Sequence, residues 1–360
     1  MKYRAAFRRL LLIGTVACGD SLCGVANGGG LAGAQVAVRA CGSSQRYNRL
    51  QADATFRARM LVLDQAGAEE YALWSTNKGA RKVETATIPV VVHVLYNDKT
   101  VGSPDTNISD GQVQSQIAVL NRDYSPPESD REGDGVPTRF RDRFGLPNIR
   151  FVLAASDPGG ATTDGIVRRQ TNVTTFDTSD SAKRSDSNSG GDPPWPRDRY
   201  LNIWVVPGLK DTDGTPLVGY SSWPSEAPEV DGVVVWYQAF GTNGTAKPPF
   251  DGGRTATHEI GHWLNLHHLW GDRDNNDDCQ DDDFVKDTPR QSGKHTDCPK
   301  LDKKVVSCDN NADGGDMFVN YMDYPPDSCM SMFSIGQVAR MRATLTKMRS
   351  GFLHVDRPNP

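Results

Sequence analysis

Four histidines and one glutamate, His258, Glu259, His262, His267 and His268, fall within eleven consecutive positions in the stretch THEIGHWLNLHHLWGD. On an α-helix, residues four apart stand one above the other on the same face. His258 and His262 are spaced that way, and two imidazoles aimed from one helical face suit a tetrahedral zinc ion. Glu259, next to the first of them, is placed to reach a water on the ion rather than the ion itself. Zinc brings the pKa of such a water to about 7, within range of a neighbouring carboxylate acting as base. Two histidines at this spacing also arise by chance, so a third ligand is required. His268 stands six residues beyond His262, off the ligand face of a straight helix, and His267 is its rival. His268 can return to the ion only if the helix stops near residue 265 and the chain turns sharply. Asn265 suits such a turn, because asparagine tolerates the left-handed backbone better than other non-glycine residues. Ile260, Trp263, Leu264 and Leu266 supply the apolar side that anchors the helix.

The elements that must position this helix are legible on both sides of it. ATIPVVVHVLYND (86–98), IRFVLAAS (149–156), YLNIWVV (200–206) and DGVVVWYQAF (231–240) read as strands. A helix follows the first strand, with Ser109 and Gln112 at capping-box spacing and Val113, Ile117 and Leu120 forming an apolar stripe. His93, inside an apolar strand, reads as a packed core histidine rather than a ligand. Residues 35–86 are mixed and polar, with helix-compatible stretches such as ADATFRARMLVLDQAGAEEYALW, and TSDSAKRSDSNSGGDPPWPRD reads as a surface loop. Strands and a helix ahead of the histidines, then a loop-rich tail, imply an α+β domain in two unequal lobes. The N-terminal lobe (87–268) would hold a twisted mixed sheet and the active-site helix; the C-terminal lobe (269–350) would be loop-rich, followed by a short tail (351–360).

The chain has 360 residues and a net charge of −5, which gives no electrostatic case for nucleic acid or an anionic membrane as partner. No apolar run is long enough to span a bilayer. The basic start and short apolar segment read as an export signal over residues 1–34, with the cleavage point open. Thr-Val-Ala-Cys at 15–18 faintly resembles a lipoprotein site, which would make Cys18 a lipid acceptor. In an exported protein Cys279, Cys298, Cys308 and Cys329 suggest two disulfides, with three pairings open. A structural zinc site is the alternative, but no C-x-x-C pair supports it.

The histidine stretch resembles the metzincin zinc endopeptidases, whose long motif is H-E-x-x-H-x-x-G-x-x-H. His258, Glu259, His262 and His268 match it, and Asn265 stands where glycine is usual. FVNYMDYPPDSCMSMF resembles the metzincin Met-turn, with Met322 as its methionine, although Met322 alone would read as core filler. That likeness implies that Tyr324 faces the metal as a transition-state hydrogen-bond donor or a swinging ligand. With DTP and NYMDY…CMSMF added, residues 250–340 resemble the pappalysin family in its cytophagalysin-like microbial branch.

The resemblance implies a secreted endopeptidase that cuts proteins or peptides, one catalytic zinc, and disulfides Cys279–Cys308 and Cys298–Cys329. It also implies calcium near the acidic stretch 271–289, where Asp278, Asp281 and Thr288 are the named donors; a solvated acidic loop is the other reading. Arg39-Ala-Cys41-Gly42 is similar to the cysteine-switch segment of several metzincin propeptides. A thiolate is a good zinc ligand and could occupy the position of the catalytic water. A spare thiol in a disposable segment is the equal alternative. If the switch holds, residues 35–86 form a propeptide that inhibits the catalytic domain (87–350) until cleavage somewhere around 60–86.

The expected reaction is hydrolysis of internal peptide bonds, with Glu259 taking the water's proton and returning it to the leaving amine. GYSSWP (219–224) reads either as an edge strand that pairs with substrate or as an ordinary buried strand. Asp323, Asp327 and Ser328 lie where a neighbouring pocket would form, and acids there favour basic side chains. A non-catalytic zinc- and calcium-stabilised binding or adhesion protein is the competing class, but it would have no need of Glu259 between two ligands. A zinc hydrolase of non-peptide amides is a third.

Overall fold

The valine- and isoleucine-rich run after residue 85 becomes the longest strand, β1 (Ala86–Tyr96). The computed structural model describes residues 39–76, 84–97, 106–127, 135–186, 189–272, 279–310 and 312–353. The expected export signal, Cys18 and Asp278 lie outside them, and all described residues fall within the unit Val36–Pro360. Five further strands join β1: β2 (Ile149–Leu153), β3 (Ile166–Gln170), β4 (Leu201–Val206), β5 (Gly219–Ser221) and β6 (Val233–Trp236). The path is β2-β1-β4-β6-β5, with β3 also paired to β1; every pairing is parallel except β5 with β6. A parallel sheet is covered on both faces, so its strands read as continuous apolar runs, and β4 is buried at every position.

The two faces build separate apolar layers. Val90, Val92 and Val94 of β1 join Ile203, Val205, Val233 and Val235 in the main core, with α3 (Asp110–Tyr124) and α4 (Arg254–Trp263) packed there. Leu95, Trp204, Val206 and Val234 face the other way. His93 belongs to the second face: it stacks 4.9 Å from Trp204 and bonds Asp192 at 2.7 Å and Asn202 at 3.0 Å. Ser109 caps α3 by accepting the Gln112 N–H, but the reciprocal half of the box is not formed. The Gln112 amide reaches instead to the Phe240 carbonyl at 2.8 Å and to Thr245 at 3.0 Å.

The C-terminal region is loop-rich and ends in α5 (Ile335–Met348), which starts with a complete capping box between Ser334 and Gln337. Disulfides link Cys279 to Cys308 and Cys298 to Cys329. Met317, Phe318, Met322, Phe333 and Val338 from this region share one apolar core with β1 and α4.

Ahead of the sheet stand α1 (Ser43–Leu50) and α2 (Ala54–Thr76). Phe56, Met60 and Leu63 of α2 fall at i, i+4 and i+7, and they cluster with Trp223, Tyr47, Leu50 and Met348. α2 rides on α5, where Gly67 lies against Arg340 and Asp64 pairs with the Arg340 guanidinium.

Candidate active site

α4 ends at Trp263, and the next turn decides where His268 goes. Asn265 takes a left-handed φ of 74°, and the Leu266 N–H returns to the Gly261 carbonyl at 2.9 Å. The reversal brings His268 back over the helix. Its Nε2 lies 3.1 Å from that of His258 and 3.2 Å from that of His262, and those two are 3.2 Å apart.

Each outer nitrogen has its own partner. His258 Nδ1 is 2.7 Å from the Tyr321 carbonyl and His262 Nδ1 is 2.8 Å from the Leu266 carbonyl. His268 Nδ1 meets Asp272 Oδ1 at 2.6 Å and Ser44 Oγ at 2.9 Å. Donation from Nδ1 fixes the tautomer and leaves three Nε2 lone pairs converging. Burial pushes the His258 pKa well down, helped by His262 and His268, and burial lowers His262 to about 3. Neutral imidazoles this close repel one another unless a cation sits among them. Their spacing is near the ~3.3 Å edge of a tetrahedron with metal–nitrogen bonds of about 2.0–2.1 Å, so the donor set fits a zinc ion.

Cys41 joins this group, and its sulfur and the three imidazoles lie within 4.8 Å of one another. Residues 40–42 run parallel to β5: the Gly42 N–H bonds the Gly219 carbonyl and the Val218 N–H bonds the Ala40 carbonyl, both at 3.0 Å. Burial, then the Glu259 carboxylate, push the free thiol well above its usual pKa. A cation among the imidazoles opposes that push by stabilising the thiolate.

Glu259 faces the same space. Its Oε2 accepts from Ser43 Oγ at 3.0 Å and from Cys41 Sγ at 3.4 Å, while Oε1 makes no hydrogen bond to protein. Burial raises its pKa to about 7, against the pull of Cys41, Ser43 and Arg39. Gly219 leaves the room for this carboxylate, since a Cβ there would press on it. Below the imidazoles lies Met322, and a Cβ at Gly261 would run into its sulfur. The Tyr324 ring is 5.5 Å from His258 and 5.0 Å from His268, and burial lifts its phenol pKa well above the usual value.

His267 turns away, bonding Asp272 Oδ2 at 2.5 Å and packing 4.8 Å from both Tyr47 and Trp223. Among the described residues of the acidic stretch, no group of three or more His, Cys, Asp or Glu ligand atoms gathers as it does here. Thr288 Oγ1 donates to Asp283 at 2.9 Å and Asp281 packs against Gly271. Among the described residues, Cys41 with the three histidines is the one group of three or more metal-capable side chains.

Sequence reasoning missed several members. Asp272 holds both His267 and His268; burial opposes its charge, yet the two imidazoles keep its pKa well below the usual value. Its position four residues after His268 was the available signal. Ser43 and Ser44 carried no signal beyond their nearness to Cys41. Arg39 and Asp327 were each named from the sequence, but not their pairing: the buried Arg39 guanidinium pairs with that carboxylate, bonds Thr255 Oγ1 at 2.8 Å and lies 5.0 Å over the Phe250 ring. The other Asp327 oxygen accepts the Gly252 and Arg254 N–H groups at 2.8 and 3.0 Å.

A left-handed helix exit, a converging imidazole trio and a carboxylate alongside define a zincin-type peptidase centre. Residues 187–346 match the family model Peptidase M43, pregnancy-associated plasma protein-A. An extracellular metalloprotease of Arthroderma benhamiae is 30% identical over 273 residues, 74% of this chain and 76% of that protein. A Tannerella forsythia promirolysin mutant is 39% identical with a TM-score of 0.70, covering 87% of this chain and 96% of its own. Mature mirolysin from the same organism, in complex with a cleaved peptide, is 42% identical with a TM-score of 0.66. That match covers 77% of this chain and 100% of the mirolysin chain. The chain belongs to the pappalysin family of metallopeptidases, and it is a metalloendopeptidase.

Proposed function

We propose that the chain is an exported endopeptidase whose zinc is held by His258, His262 and His268 and whose own residues 35–86 keep it latent. One observation carries the reading: three buried Nε2 atoms converge beside Glu259, with Cys41 beside them. Zinc supplies a Lewis acid there, polarising the scissile carbonyl and acidifying the attacking water. Glu259, buried beside the imidazoles, takes the water's proton and returns it to the departing amine. Tyr324 donates its phenolic hydrogen to the developing oxyanion. Met322 supports the imidazoles from below.

β5 offers its outer edge to an extended substrate, in the place that residues 40–42 hold in the precursor. Arg39 then marks a pocket for a basic substrate side chain, because the buried Asp327 carboxylate is matched to a guanidinium. Activation by a cut within the expected 60–86 range would free the Cys41 segment, and a cut past α2, at 77–85, would free α1 and α2 with it. The mechanism places no step on calcium. The chain's extracellular relatives support export.

The test is Glu259→Gln in processed enzyme. It should keep one zinc per chain and lose about a thousandfold in kcat/KM on a peptide substrate. Full turnover, or purified chain without stoichiometric zinc, would sink the assignment.

A further inference from the structure

The inhibitory segment fills a second ionic pocket, on the other side of Cys41 from Arg39. Arg46 of α1 is only 5% exposed. Its Nε donates to both Glu226 oxygens at 2.8 and 3.0 Å, and its Nη2 meets Glu226 Oε2 at 2.6 Å and Asp180 Oδ2 at 2.8 Å. Nη1 points at the Thr178 carbonyl, 3.5 Å away, and the Tyr220 ring lies 5.9 Å from the guanidinium. Every one of these partners lies beyond residue 86, so the pocket stays with the catalytic domain when α1 leaves.

Its chemistry selects among cations. Lys183 remains, 3.0 Å from Asp180 and anchored on the Val230 carbonyl at 2.7 Å. Two carboxylates against one ammonium leave the pocket that Arg46 vacates with a single uncompensated negative charge. The ammonium beside Asp180 opposes a divalent ion. The forked Glu226 carboxylate, the carbonyl and the aromatic face match a planar guanidinium.

The pocket is also within reach of a substrate. Ser221 N–H donates to Ser43 Oγ at 2.9 Å, and Trp223 Nε1 donates to the Ser43 carbonyl at 3.2 Å. Trp223 packs 5.3 Å from His262, and its N–H is held by Glu226 Oε1 at 2.7 Å. Following β5 outward from the imidazoles therefore leads to Glu226. Arg46 is about one helical turn past Ser43, a distance an extended strand covers in about two residues.

We propose that Glu226 and Asp180 form a subsite for a substrate arginine, about two to four residues from the scissile bond, on the side opposite the Asp327 pocket. This rests on the reading of residues 39–50 as a removable inhibitor lying in the substrate groove.

The experiment uses processed, zinc-loaded enzyme and quenched fluorescent peptides that differ only by arginine or its uncharged isostere citrulline, scanned through those positions. At one position arginine should raise kcat/KM about ten- to a hundredfold over citrulline. Glu226→Gln should bring that ratio close to one, since glutamine keeps an acceptor for the Trp223 N–H but loses the charge. Should that variant fold poorly, Asp180→Asn reads the same ratio. Casein cleavage with no arginine preference at any position overturns the subsite alone. Loss of the preference on adding millimolar calcium assigns the pocket to a metal ion and also overturns it. Failure to cleave casein and both peptides defeats the peptidase reading, and the subsite with it.

Discussion

Glu259 Oε2 takes its two protein hydrogen bonds from Cys41 and Ser43, so under the proposed function the proton acceptor is occupied by the segment proposed to leave. Replacing Cys41 with alanine removes the sulfur beside the imidazoles while Ser43 stays in place. The unprocessed Cys41→Ala chain should show peptidase activity at least about tenfold above the wild-type precursor, before any change in size on a gel. Unchanged latency would move the inhibitory role to Arg39 and Ser43. A second residue-scale prediction concerns His295, between Asp323 at 2.7 Å and Asp316 at 3.2 Å. Burial works against its charge, but the hydrogen bonds to these carboxylates outweigh that and raise its pKa to about 10. The folded chain keeps a proton that the unfolded chain loses near pH 6.5. The resulting stability is complete below that pH and is lost as pH rises through 10. Thermal scans should show His295→Gln flattening this decline, worth on the order of a few kcal/mol, and an identical decline in the variant would refute the assignment. His258 and His262 were legible because helical spacing fixes a face, whereas Glu259 and His268 were legible through the longer pattern that resembles the metzincin motif. Asp316 and Asp323, flanking His295, were not, because their meeting depends on how distant loops pack.

At the scale of elements, the exit of α4 is where local backbone preference and site chemistry meet. Asn265 adopts φ 74°, yet its side-chain Oδ1 and Nδ2 are buried without hydrogen-bond partners. Glycine enters the left-handed region at no steric cost and would remove two unpaired polar atoms. Asn265→Gly should therefore keep the metal and be neutral or stabilising by about 1 kcal/mol, whereas Asn265→Val should lose both stability and metal, as melting curves and metal analysis would report. A large loss in the glycine variant would mean the asparagine side chain is needed in another way. This turn was readable from sequence because the need for it followed from His268. Strands were readable as apolar runs, but their ends were not: the run expected to 240 stops as a strand at Trp236, and residues 237–239 form a 3-10 turn. Likewise Gln112 had the right spacing for a box, but the Phe240 carbonyl and Thr245 captured its amide. α1 was not singled out in the sequence, since its apolar contribution is only Tyr47 and Leu50 and much of its hold on the domain is the buried Arg46–Glu226 pair.

At the scale of the whole molecule, the lobes expected from sequence share one core, because apolar residues of the 317–345 region pack directly under α4 and β1. Periodicity cannot show this, as it reports which side of an element is buried and not what covers it. The same limit hid the role of α2. Its sequence read only as helix-compatible, and the fold alone shows Phe56, Met60 and Leu63 closing over Trp223 and Met348 while Leu61 and Val62 stay exposed. The Arg340 guanidinium meanwhile bridges Asp64 of α2 and the carbonyl of Asn265, tying the inhibitory segment to the turn that places His268. Activation therefore has a stability cost. Releasing residues 39–76 uncovers an apolar patch beside the centre and removes one partner of Arg340. In the inactive Glu259→Gln background, which prevents self-digestion, cutting within 77–85 and separating the fragment should lower Tm by about 5–10 °C. Phe56→Ala with Leu63→Ala in the uncut precursor should reproduce part of that drop. In an otherwise wild-type precursor, the same pair should also raise the uncut chain's activity, because a loosened α2 no longer holds the Cys41 segment in register on β5. An unchanged Tm after verified release would mean that α2 is a passenger on α5, and latency would then rest on residues 39–50 alone.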